Sequence, residues 1–269
     1  MPIVQLESLE GDATAPYRRL RDPELVRRQG LFIAEGRLVV ERLLGDPRFD
    51  IQSVLLSHAA AEALSPVLDR LSPSVPVFIA SIEQFGALTG VNVHRGCLAL
   101  VKRPAEAVLG AVVASARTVI ALDRVSNPDN VGGVFRNAAA LGAEALVLGP
   151  GCCDPFYRKA IRTSMAATFR VPFARIDRWP DAFRVLREAG CTLVAMTPAR
   201  DAVALDVFAQ APRPRRLALL CGAEGEGLPL SLLDACDVRV RIPIREDVDS
   251  LNVAVAVGIA LARLAPPPG

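Results

Sequence analysis

From Thr118 to Leu264 the chain alternates short strand-like runs with helical segments, and nothing else in the sequence constrains the fold as strongly. The strand candidates are TVIALD (118–123), EALVLG (144–149), CTLVAM (191–196), RLALLCG (216–222) and VRVRIPI (238–244). Runs that are apolar on both faces suit a mainly parallel sheet covered by helices on each side. The helical segments between them begin with VGGVFRNAAALG, ended by Gly142, and residues 156–169. WPDAFRVLREAG follows, with Pro180 near its start and Gly190 past its end. SLNVAVAVGIALARL (250–264) is apolar on almost every side and is expected to be buried. The pattern predicts an α/β domain over 118–269.

A second, smaller α/β pattern precedes it. Asp22 is a candidate N-cap for a helix over 24–28, and strands are expected at 31–34, 51–57, 75–81 and 96–104. Helices are expected at 37–44, ended by Gly45, at 59–71 and at 82–88. This predicts a small domain over 1–103 and an alanine-rich linker over 104–117. The tail APPPG is expected to be disordered or extended.

An apolar fraction of 51% and a charged fraction of 22% exclude a disordered chain or a coiled coil. The most apolar stretch, Val253 to Ala262, is far shorter than the roughly 20 residues a membrane span needs. MPIVQLESLE shows no secretory pattern, so a cytoplasmic setting is expected. The six cysteines lie mostly in apolar runs and form no C-x-x-C pair, and His58 and His94 are the only histidines. Small buried hydrophobes in a reducing compartment are expected, with no metal site.

A net charge of +2 is too small to mark the whole protein as a polyanion binder. Residues 158–178, however, carry Arg158, Lys159, Arg162, Arg170, Arg175 and Arg178 against Asp177 alone. That stripe is either a polyanion contact or a solvated face.

Three segments carry the chemistry. Asn127-Pro128-Asp129-Asn130-Val131-Gly132-Gly133-Val134-Phe135-Arg136 joins a strand end to a helix start, where open α/β sheets gather ligands. Asn130 is a candidate cap there, and Gly132-Gly133 permits a close approach. Cys221-Gly222-Ala223-Glu224-Gly225-Glu226-Gly227-Leu228 ends a buried strand with a tight turn, but lacks the third glycine of a dinucleotide fingerprint. Arg241-Ile242-Pro243-Ile244 leads through an acidic loop to Asp249-Ser250-Leu251-Asn252-Val253, where Ser250 is a candidate cap and Asn252 a core amide.

Together these segments resemble the three motifs of the SpoU-type RNA 2'-O-ribose methyltransferases of the SPOUT superfamily. The matching residues are Asn130, Gly132 and Arg136; then Gly222, Glu224, Gly225, Gly227 and Leu228; then Ile242, Pro243, Ser250, Leu251, Asn252 and Val253. Ile244 departs from the pattern. The resemblance covers 118–264; a weaker one, through FIAEGRLVVERLL and GCLAL, points to a small α/β substrate-binding domain ahead of the catalytic one. It implies a parallel sheet with a deep trefoil knot, a homodimer, and S-adenosylmethionine held by Gly222, Ile242 and Leu251. It implies methyl transfer to a ribose 2'-hydroxyl of ribosomal or transfer RNA. Arg136 is then the catalytic arginine, oriented by Asn130, Glu224, Ser250 and Asn252, and Arg158, Lys159 and Arg162 contact RNA. A base methyltransferase of the same superfamily and a non-catalytic RNA-binding factor are the alternatives.

Overall fold

The computed structural model describes residues 3–6, 11–18, 22–89 and 96–264. The tail APPPG and His94 lie outside the described residues. The chain divides into two units: Met1–Ala105 with Phe156–Ala166, and Glu106–Pro155 with Ala167–Gly269.

The first unit contains β1 (Ile3–Gln5), α1 (Asp22–Glu24, continued by a π-turn over Leu25–Gln29), β2 (Leu31–Glu35) and α2 (Arg37–Leu44). It continues with β3 (Ile51–Ser57), α3 (His58–Leu68), β4 (Val77–Ala80), α4 (Ile82–Thr89) and β5 (Cys97–Lys102). Its described strands order as β1-β4-β3-β5-β2; β1, β4 and β3 run parallel, while β5 lies antiparallel to β3 and β2. β1 carries no apolar alternation and is exposed throughout, so the sequence pattern does not reveal it.

The second unit contains α5 (Leu109–Val113), β6 (Thr118–Leu122), α6 (Pro128–Leu141) and β7 (Ala145–Leu148). Next in chain order comes α7 (Arg158–Thr163), which belongs to the first unit. The second unit resumes with β8 (Phe173–Arg175), α8 (Trp179–Glu188), β9 (Thr192–Met196), β10 (Val203–Ala204), α9 (Leu205–Gln210) and β11 (Leu217–Cys221). It ends with α10 (Leu230–Ala235), β12 (Val238–Arg241) and α11 (Val253–Leu264). Its seven described strands order as β10-β12-β9-β11-β6-β7-β8, all parallel. The five expected strands are present; β8 and β10 are short edge strands with too few residues to make a pattern. β6, β7 and β11 are buried at every position, which is why they read as apolar runs.

Three sequence expectations need correction. Residues 104–117 are not a bare linker: α5 lies there, and Val113 and Ala116 enter the core beside Trp179, Phe183 and Leu186 of α8. The Arg216 guanidinium secures that segment through the carbonyls of Val113, Ala114 and Ala116. Residues 156–169 are not one helix. α7 ends at Thr163, because Met165 and Ala166 take left-handed φ of 52° and 64° and Ala166 N–H closes back on Ile161 C=O at 3.1 Å. The final helix starts at Val253 rather than 250, and only one side of it is buried; Val255 is 50% exposed and Ile259 36%.

The domain expectation changes too, because residues 156–166 belong with the first unit. Phe156 stacks on Phe32 with ring centroids 4.8 Å apart. Arg158 pairs with Asp22 at 3.0 Å and Glu35 at 3.4 Å, and Arg162 with Glu35 at 3.4 Å. Glu35 is 5% exposed, so these guanidinium partners neutralise a buried charge. Burial raises the Asp22 carboxyl above its ordinary pKa, with Arg158 pulling it back.

Candidate active site

The carboxyl ends of β9, β11 and β12 open into one pocket of the second unit. Its empty space is about 690 Å³, open mouth included. Met196, Thr197 and Pro198 line it from the end of β9, and Gly222 to Gly225 with Gly227 from the end of β11. Ile242 and Ile244 follow β12, and Ser250, Leu251, Val253 and Ala256 come from the start of α11. The mostly apolar lining with a few polar groups suits a small-molecule site. The proposed cofactor residues Gly222, Ile242 and Leu251 thus line one cavity.

The turn after β11 folds onto itself. Gly227 N–H donates to Ala223 C=O at 2.9 Å, and a Cβ placed on Gly222 would lie 2.2 Å from the Gly227 carbonyl carbon. Only glycine fits at 222. Gly225 and Gly227 have φ of +86° and +66°, which a side chain would strain.

Asn252 joins the three motif segments. Its Oδ1 accepts from the N–H groups of Ala254 (3.0 Å) and Val255 (3.2 Å), capping α11. That fixes the amide orientation, so Nδ2 donates to Asn130 Oδ1 at 2.8 Å and to Glu224 Oε1 at 2.7 Å. Asn252 is therefore the cap that the sequence reading offered to Ser250, and it is exposed rather than a core amide. Likewise Asn127, not Asn130, caps α6, accepting from Asp129 N–H at 2.9 Å. Asn130 is buried at 6% exposure.

α6 and α11 pack closely beside this junction. A Cβ on Gly133 would meet the Ala254 Cβ at 2.8 Å, and Asn137 Nδ2 donates to Ala254 C=O at 2.6 Å. Arg136, on the same helix, faces outward and makes no hydrogen bond or ion pair with any described residue. The structure thus brings Asn130, Glu224 and Asn252 together, places Ser250 on the pocket wall, and leaves Arg136 free.

The basic stripe is divided. Arg158 and Arg162 are paired with carboxylates, as are Arg175 with Asp154 at 3.8 Å and Arg178 with Asp181 at 3.5 Å. Exposure does not follow that pairing: Lys159, Arg162, Arg170 and Arg178 are all exposed. No thiolate nucleophile stands in the pocket: burial pushes the Cys221 thiol up to about 12, leaving it protonated. All six cysteines are free and five are buried. Among the described residues no cluster could hold a metal ion, and no helix is long and apolar enough to cross a membrane.

The sequence model of the SpoU rRNA Methylase family matches residues 117–262. The chain belongs to that family. An uncharacterised tRNA/rRNA methyltransferase of Mycobacterium bovis is 42% identical over 89% of this chain and 82% of its own length. A 23S rRNA (guanosine(2553)-2'-O)-methyltransferase of Bacillus subtilis is 26% identical over 97% and 98%. Among solved structures, an AdoMet-bound rRNA methyltransferase from Sinorhizobium meliloti superimposes with a TM-score of 0.81 at 26% identity, covering 97% of each chain. The family match spans all three motif segments, so the pocket and the Asn252 junction lie within the SpoU region of the chain.

The sequence reading did not find Met196, Thr197 and Pro198, nor the contacts of Arg124. The first three could have been suspected from their position at a strand end beside β11.

Proposed function

We propose that this protein transfers a methyl group from S-adenosylmethionine to a ribose 2'-hydroxyl of structured RNA, ribosomal or transfer. The observation that carries the reading is the Asn130–Asn252–Glu224 junction, which ties three distant segments together beside a pocket that suits the cofactor. SpoU methyltransferases use S-adenosylmethionine, which supplies an electrophilic methyl on a sulfonium. The fit rests on this chain's own residues. Gly222 lets the turn close against Gly227 at the pocket wall, and Ile242 and Leu251 offer apolar side chains there that would suit a flat ring.

A ribose hydroxyl is a weak acid, so the protein must position it and ease the loss of its proton. Arg136 supplies a free guanidinium. Its planar fork of donors suits holding an adjacent phosphate and stabilising developing oxyanion charge. Asn252 fixes the direction of the Glu224 carboxylate and the Asn130 amide, and Ser250 adds a hydroxyl on the pocket wall. RNA contact is assigned to Lys159 and Arg162, with Arg158 holding their helix through Asp22 and Glu35. RNA selection is assigned to the first unit.

The same reading includes a trefoil knot in the second unit, a cytoplasmic setting and a homodimer. Support for the dimer comes from the apolar outer side of α11, where Val255 and Ile259 are exposed. Incubation of the protein with labelled S-adenosylmethionine and cellular RNA, followed by nucleoside analysis, tests the proposal. A 2'-O-methylnucleoside is expected. A methylated base would overturn the ribose assignment, and cofactor binding without transfer would point to a binding factor.

A further inference from the structure

The motif residues account for the inner side of the 222–228 turn, but its outer side is held by a residue outside all three motifs. Arg124 follows β6 directly and has a left-handed φ of 54°, a conformation that costs an arginine energy and persists only when its surroundings fix it. Its N–H donates to Pro150 C=O at 3.1 Å. Its Nε donates to Asp123 Oδ2 at 3.0 Å, and its two terminal nitrogens reach the turn: Nη1 to Glu226 Oε2 at 2.8 Å and Nη2 to Gly227 C=O at 3.3 Å. The anchor itself is firm. Asp123 is 4% exposed, its N–H donates to Cys221 C=O at 2.9 Å, and Trp179 Nε1 donates to its Oδ1 at 2.6 Å.

These contacts make a brace from a buried carboxylate at the end of β6 to the far end of the turn. Gly227, which the brace holds, is the residue whose backbone closes against Gly222 on the pocket wall. A shift of the Gly227 carbonyl therefore moves the wall on which Gly222 sits. The exposed Glu226 contact is weak by itself, since its side chain is 77% exposed. The planar fork of arginine matters because one guanidinium must satisfy a carboxylate on one side and a carbonyl on the other.

We propose that Arg124 is a positioning residue that holds the 222–228 turn in its binding shape, and that its loss lowers cofactor affinity without impairing methyl transfer once the cofactor is bound. This rests on the functional reading above. Arg124→Gly is the decisive variant, because glycine removes the side chain and accepts the left-handed backbone, so no backbone strain is added, and a melting curve reports the cost of leaving Asp123 without its guanidinium partner. Calorimetry with S-adenosylhomocysteine should show a dissociation constant raised by about tenfold, the scale of losing charge-assisted hydrogen bonds. The rate at saturating cofactor should stay within about twofold. Amide exchange of residues 222–228 should quicken while that of β6 and α8 stays unchanged. Arg124→Lys should recover only part of the affinity. Unchanged affinity and exchange in Arg124→Gly would overturn the proposal, as would an affinity loss matched by a fall in the rate at saturation. If the wild-type protein binds no S-adenosylhomocysteine, the functional reading fails, and the exchange measurement still decides whether Arg124 braces the turn.

Discussion

Replacing Asn252 tests whether one side chain holds three motif segments together. Asn252→Ala removes the cap of α11, which costs about 1 kcal/mol. It also leaves the Oδ1 of Asn130, a residue 6% exposed, without its donor, which costs about 1–3 kcal/mol. Glu224 is exposed and regains water, so its lost bond adds little. The sum is about 2–4 kcal/mol; at roughly 2–4 °C per kcal/mol for a domain of this size, the melting temperature should fall by roughly 4–16 °C. Asn252→Asp separates the two parts. A carboxylate still caps the helix but cannot donate to Asn130 and faces the Glu224 carboxylate. Its melting temperature should lie between those of wild type and Asn252→Ala. Thermal melts of the three proteins, followed by calorimetry with S-adenosylmethionine, make the assay. If Asn252→Ala melts within about 2 °C of wild type, the junction is incidental, and if Asn252→Asp equals wild type, the two amide donations carry nothing.

Arg136→Ala should leave the melting curve and cofactor affinity unchanged and lower the methylation rate about 100-fold, with Arg136→Lys also poor; near-normal turnover in the alanine variant would reject its role. Leu251→Asp should weaken cofactor binding measurably by calorimetry, because it sets a charge on an apolar pocket wall. A protein beginning near residue 110 would leave Phe156, Ile161 and Arg158 without the first unit's partners, so it should melt lower or aggregate, and a melting temperature equal to that of the intact protein would contradict the assignment of 156–166. Burial raises the folded-state pKa of Asp22, so the stability it contributes is full below its unfolded pKa and is lost as pH rises through the raised value. Melts across that acid range should therefore show a pH dependence that Asp22→Asn removes, and an identical profile in both proteins would refute the burial effect.

The parallel sheet was legible because its inner strands are buried on both faces, a condition that writes itself as an unbroken apolar run. β6, β7 and β11 meet it fully. β10 has two residues and β8 three, and their place in the sheet comes from pairing with β12 and β7, a relation between distant segments. The same limit explains residues 104–117 and 156–166. Val113, Ala116 and Ile161 are buried by elements far away in sequence, and alanine-rich or arginine-rich stretches carry little period of their own.

The site shows a finer version of the same division. Residue type and spacing marked Asn130, Glu224 and Asn252, but could not say which asparagine caps a helix and which bridges. A cap is recognised from the few residues after it, and both Asn127 and Asn130 stand where α6 could start. What separates them is a donor 122 residues away: Asn252 Nδ2 takes Asn130 for its partner, so the free side chain of Asn127 turns to the Asp129 N–H. The partners of the stripe at 158–178 were hidden for a related reason. Charge along a sequence window counts only neighbours, whereas Arg158 and Arg162 meet Asp22 and Glu35 across more than 120 residues. Arg136 escapes such partners, and an exposed arginine left unpaired beside a closely packed pair of helices is the one cation of the first motif still available to a phosphate.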